Sequence, residues 1–137
     1  MSRLARRLGD SRGSVAVEFA LFLPFLMMLV FGVVELGSAW FQRQMLVNAS
    51  REGARLGSLL DDASNSAAQI QATVSNYLQT AGFPGAVTVT SSGADGGAGA
   101  QVQVTVSSPY QLPVLGSLVP GALSSVTLQG VTVMRHE

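Results

Sequence analysis

"GSVAVEFALFLPFLMMLVFGVVELGSAWF", residues 13–41, is the stretch on which the fold turns. Phe19 to Val34 carries no charge, Glu35 interrupts, and apolar residues resume as far as Phe41. As a helix, Ser14 to Phe41 extends ~42 Å at ~1.5 Å per residue, longer than the ~30 Å hydrocarbon core of a bilayer. The surplus length lets Glu18 and Glu35 lie near the two interfaces, with Trp40 and Phe41 at the outer one, where aromatic side chains anchor. An acid at the mouth of such a segment is expensive in hydrocarbon, so Glu18 needs a physical reason.

The charges flanking this stretch are uneven, although the 137 residues sum to zero. Arg3, Arg6, Arg7 and Arg12 against Asp10 give the first 13 residues a net +3; the remaining four arginines against seven acids give −3. A basic head before an apolar segment holds the N-terminus inside and sends the rest outward. The basic residues do not continue into the folded part and no aromatic platform accompanies them, which argues against nucleic acid as a partner. Cysteine is absent, which excludes disulfides and thiolate chemistry.

Three readings of the segment compete. A secretory signal peptide has a short apolar core and a small-residue cleavage site; "GSA" at 37–39 offers such a site, but the run is too long and the two acids are misplaced. A plain single-pass anchor explains length and orientation but not Glu18. Cleavage after Gly13 retains the helix in the mature protein and makes Ser14 its first residue and Glu18 its fifth. Four residues is about one helical turn, so Glu18 then shares a face with the new amino terminus. There it can neutralise the ammonium of a neighbouring subunit, a pairing favoured over two separately buried charges.

This third pattern resembles prepilin processing, and the wider stretch is similar to the TadE-like family, minor pseudopilins of the tight-adherence (Tad or Flp) pilus system. The shared elements are "AVEFAL" followed by "LP", the second acid in "FGVVELG", the downstream "REGARLG" and the terminal "MRHE". The resemblance is strong over residues 13–57 and loose beyond. It implies a substrate of a prepilin peptidase, in the bacterial inner membrane with a cytoplasmic N-terminus. Its implied partners are other pseudopilins, the major Flp-type pilin, the Tad inner-membrane platform and the lipid bilayer. Pro24 within the span frees the Ala20 carbonyl and favours a kink, which membrane helices tolerate.

The expected organisation is α+β. A leader, 1–13, precedes a transmembrane helix, 14–41, which leads into an exported domain, 42–137. "QRQMLVNASREGARLGSLL", 42–60, continues as helix, with Ala49, Gly53 and Gly57 repeating every four residues. Such a small-residue stripe admits another backbone closely, either the domain's own sheet and second helix or another subunit. A second amphipathic helix is expected over 63–81, with Ala67, Ile70, Val74, Tyr77, Leu78 and Ala81 on its apolar face. Asp61, Asp62, Ser64 and Ser66 are candidate caps, and Gly82 and Pro84 end the helix.

The period then falls to two. Strands are predicted at about 86–91, 101–108 and 125–135, forming a three- to four-stranded antiparallel sheet. The glycine-rich 91–99 between the first two lacks the lysine and following helix of a phosphate cradle and reads as hairpin slack. In the last strand Val126 and Leu128 have one parity and Val131 and Val133 the other, so Gly130 is expected to host a bulge. Residues 109–123 fit neither period and predict an apolar loop. Its Leu112, Leu115 and Leu118 either cover the domain's own core or meet a partner.

No residues with catalytic spacing emerge. The one histidine, His136, is expected to lack a rigid scaffold beside the C-terminus; no nucleophile has an orienting base, and no ligand cluster suggests a metal or cofactor. The expected role is structural, not enzymatic, with a membrane-tethered extracytoplasmic binding domain not built into a filament as the alternative. The candidate functional positions are therefore Gly13 and Ser14 for processing and Glu18 for assembly.

Overall fold

The apolar stretch and the polar sequence after it form one helix. In the computed structural model of the protein, which describes residues 11–59, 66–118 and 125–136, α1 spans Ser11–Leu59, 49 residues or ~73 Å. It passes through Pro24 without interruption, and no break separates the apolar part from the helix expected at 42–60. The basic leader as far as Asp10, the capping candidates Asp61, Asp62 and Ser64, and residues 119–124 of the apolar loop lie outside the described residues.

Burial divides α1 more sharply than its sequence does. From Gly13 to Phe31 every residue is exposed, and Gly32 is the first buried one. Beyond it one face of the helix enters a core while the other stays open, with Trp40 and Phe41 still 65% and 66% exposed. The fully exposed segment measures ~28 Å at ~1.5 Å per residue, close to the ~30 Å of a hydrocarbon core.

The second helix, α2, covers Ser66–Thr80 and buries Ser66, Ile70, Val74 and Leu78. Its buried stripe is narrower than the periodicity suggested: Ala67 and Ala81 are exposed and Tyr77 is 37% exposed. Gly82 ends the helix at φ +72°. The Phe83 N–H donates to Leu78 O (2.9 Å) and the Gly82 N–H to Gln79 O (3.1 Å), the paired bonds of a Schellman C-cap.

Three strands follow: β1 (Thr88–Ser92), β2 (Gln101–Gln111) and β3 (Ser125–Arg135). They pair antiparallel in the order β1-β2-β3. β2 runs three residues further than expected, through Pro109, which pairs with Thr127. Pairing with β1 stops at Ser107, so Pro109 lies where β2 has a single neighbour and a missing N–H is tolerated.

Between β1 and β2, Ala94 in the glycine-rich turn is buried. His136 pins that turn: its N–H donates to Ala100 O (2.8 Å), its carbonyl accepts from the Gly99 N–H (3.1 Å), and its Nε2 lies 3.2 Å from Gly93 O. At 7% exposure, His136 is firmly held, contrary to expectation.

The bulge expected at Gly130 is absent. Register is continuous from Gln101↔Arg135 to Gln111↔Ser125, so Val126, Leu128 and Gly130 face α1 while Val131 and Val133 face outward, 46% and 50% exposed. Gly130 serves a close approach instead: a Cβ there would lie 2.5 Å from the Leu46 carbonyl carbon and 2.6 Å from Val47 N. The missing side chain lets the backbones of α1 and β3 touch.

Both helices cover the same face of the sheet. The core joins Leu46, Ala49 and Ala54 of α1, Ile70, Val74 and Leu78 of α2, Val102, Val104 and Val106 of β2, and Leu128 of β3. Each fully buried aliphatic side chain contributes about 1.5–3 kcal/mol. A Ser50 Oγ–Thr132 Oγ1 hydrogen bond of 2.7 Å adds a polar link between α1 and β3.

Candidate functional site

The candidate positions fall into two groups along α1. Gly13 and Ser14 are exposed in its first turns, and Glu18 follows one turn later, also exposed. Glu18 shares a helix face with Leu21, Phe22 and Phe25, which together line a shallow groove. Among the described residues nothing bonds to its carboxylate. The structure thus gathers Gly13, Ser14 and Glu18 at one end of the exposed apolar segment and leaves the acid without a partner among the described residues.

Ala49, Gly53 and Gly57 lie at the other end, and all three are buried. A Cβ on Gly53 would come within 2.6 Å of Val74 Cγ2; one on Gly57 would lie 2.9 Å from both Ile70 Cδ1 and Val102 Cγ1. The stripe seats α1 against α2 and β2 of its own chain, so it offers no open surface to another subunit.

The apolar loop is more structured than expected. It contains a short helix, α3 (Pro113–Leu118), laid against α1. Leu112 is buried, Leu115 is half-buried and lies beside Gly32 of α1, and Leu118 forms the last residue of α3.

Glu35 holds this helix in place. Its Oε1 accepts the Val114 N–H (3.1 Å) and its Oε2 the Leu115 N–H (3.0 Å), while the Tyr110 hydroxyl donates to the Glu35 carbonyl (3.3 Å). Helix starts leave N–H groups without intrahelical partners, and a nearby side-chain oxygen commonly accepts those at the second and third positions. Pro113, at the first position, has no N–H to satisfy. Leu112 supplies the carbonyl for the first helical bond, from the Gly116 N–H at 2.8 Å, but its side chain has no oxygen. Glu35 takes the missing capping role from 79 and 80 residues away. At 6% exposure, it is an acid buried with both oxygens occupied.

The sequence marks Glu35 as the second acid of the apolar stretch and places it near a membrane interface; in the structure it is buried beneath α3. Its isolation among apolar residues was a signal that it needed partners, but backbone donors leave no mark in side-chain chemistry.

These features define a class: an α+β head built directly onto a single helix that is long and apolar enough to cross a membrane. Residues 13–55 match the family model described as TadE-like protein, the family that the sequence resembles. The match lies wholly within α1 and takes in Gly13, Ser14, Glu18, Glu35, Ala49 and Gly53. No curated protein and no solved structure matches the chain.

Proposed function

We propose that the chain is a minor pseudopilin of the Tad/Flp pilus: a structural subunit rather than an enzyme. Its N-terminal helix is inserted in the bacterial inner membrane and recruits it to the pilus or its initiating complex. Prepilin peptidase cuts after Gly13, and Ser14 becomes the amino terminus. The head lies outside the cytoplasm, and the helix meets other pseudopilins, the major Flp-type pilin and the Tad platform.

One juxtaposition supports this reading most. Glu18, exposed and without a partner among the described residues, stands one turn from Ser14 at the mouth of a ~28 Å apolar segment within the TadE-like match. A carboxylate left unpaired beside hydrocarbon is costly in a lone subunit and is neutralised by the ammonium that cleavage creates on a neighbour. The match to the span length and the uniform exposure of Gly13–Phe31 support insertion.

Sequencing of the mature N-terminus tests the processing step: Ser14 is expected, and an intact Met1 or a start at Trp40 overturns it. Glu18→Ala is expected to leave membrane integration intact and reduce piliation to background. Normal piliation in that variant refutes the charge-pairing role.

A further inference from the structure

Beside the point where α1 enters the head, a cavity of about 390 Å³ opens between α1, α3 and β3. Leu36 and Trp40 of α1, Leu112 and Leu115 around the start of α3, and Val126 and Leu128 of β3 line it. The one hydroxyl on the wall belongs to Tyr110 and is engaged by the Glu35 carbonyl. Arg43 also borders it, with its guanidinium 5.7 Å from the centre of the Trp40 ring. The described lining residues include no acid, and the only ion pair among the described residues joins Arg55 to Glu52.

We infer that this groove seats one phospholipid of the membrane, with an acyl chain against the apolar wall and its phosphate on Arg43. The inference rests on the reading that α1 spans the bilayer. The groove is continuous with the exposed apolar segment, since Leu36 lies about one turn past Gly32, where the head first covers the helix. With the outer hydrocarbon edge at Leu36, Ser14–Leu36 measures ~34 Å, which a tilted helix fits into a ~30 Å core. Arg43 stands ~10 Å beyond Leu36 along the axis, and headgroups occupy the ~5–8 Å outside that edge. A flexible arginine reaches back to that level. Stacking over an indole uses the guanidinium's face and leaves its N–H edges for the paired bonds that phosphate accepts.

The chemistry selects this occupant. The cavity has the size of a small-molecule site and pairs a carbon-lined body with a single cation at its edge that no described acid neutralises. A long apolar chain ending in one anionic group matches both. An extended segment of another protein placed there would bring its backbone N–H groups against a wall whose Arg43 and Trp40 only donate and whose Tyr110 hydroxyl is already engaged.

The test uses the full chain in phosphatidylglycerol nanodiscs containing a trace of phosphatidylglycerol with a diazirine in its acyl chain. Photolysis products are mapped by mass spectrometry. Adducts are expected on Leu36, Leu112 or Val126, in addition to those on Phe22 and Phe25 of the span. Val126→Trp, at a position 44% exposed, fills the groove and is expected to remove the first set. Arg43→Gln is expected to lower it about fivefold, the effect of one partly exposed ion pair. Neither variant should change the adducts on Phe22 and Phe25.

Span adducts without groove adducts, or groove adducts indifferent to both variants, overturn the lipid site while leaving the spanning reading in place. A dimer by native mass, with the groove unlabelled, assigns the face to a second copy and likewise overturns it. Absence of adducts from Phe22 and Phe25 overturns the spanning reading, and the lipid site with it.

Discussion

Replacing Glu35 by alanine removes both oxygens that accept the first two N–H groups of α3. Loss of a capping side chain costs about 0.5–2 kcal/mol, and loss of a negative charge beside a helix N-terminus a further ~0.3–1 kcal/mol. Val114 and Leu115 are only half-buried, so water recovers part of the desolvation penalty. A net of about 2 kcal/mol follows, felt by α3 and not by the sheet. A six-residue helix has no stability of its own, so opening of α3 should become about thirtyfold more frequent.

Amide hydrogen exchange of the full chain in a bilayer mimic reads this directly. In Glu35→Ala, exchange at Val114, Leu115 and Gly116 is expected to accelerate by that factor, while Val104 and Val106 in β2 keep their rates. Glu35→Gln keeps one acceptor and loses the charge, and about a fivefold change is expected. A change under twofold at Val114 and Leu115 in Glu35→Ala refutes the capping role. Equal acceleration in β2 also refutes the reasoning, because it makes Glu35 a determinant of the whole head and not of α3.

Gly130→Ala places a methyl group 2.5 Å from backbone atoms of Leu46, which cannot rotate away. Overpacking of this kind costs ~1–3 kcal/mol or more, so a marked fall in the denaturation midpoint is expected. Gly37→Ala, where nothing lies within 4 Å, should be neutral or stabilising by up to ~1 kcal/mol. Ser50→Ala and Thr132→Val should each lose about 1 kcal/mol by chemical denaturation, and the double variant should lose less than their sum, since both break the same hydrogen bond. Strict additivity would deny that this bond contributes to holding α1 on β3.

The legible parts of the fold were those with a period or a composition. Nineteen exposed residues of α1 are apolar in nearly every position, and Val102, Val104 and Val106 alternate with polar neighbours, so helix and strand announced themselves. Gly82 and Pro84 marked the end of α2 by local backbone chemistry. α3 escaped because six residues carry too little periodicity to separate helix from loop, and its cap comes from a different element. Pro109 hid the end of β2, because its tolerance depends on where β1 stops. Gly130 was a true signal with two meanings, a bulge or a close approach, and only the position of Leu46 decides between them.

The same division holds for the candidate site. Ser14 and Glu18 were visible from spacing alone, since one turn of helix relates them whatever the rest of the chain does. Glu35 and its donors are 79 and 80 residues apart, a relationship that tertiary structure creates and periodicity does not encode.

Because α1 is at once the apolar shaft and a wall of the head's core, the head has no swivel. An α-helix advances ~1.5 Å and turns ~100° per residue, so any face by which the shaft packed against a neighbour would also fix the compass bearing of the head. A one-residue slip in that packing would swing the outward valines of β3, Val131 and Val133, through more than a quarter of a circle. A choice of contact along the apolar shaft would therefore dictate what the far end of the molecule presents to its surroundings.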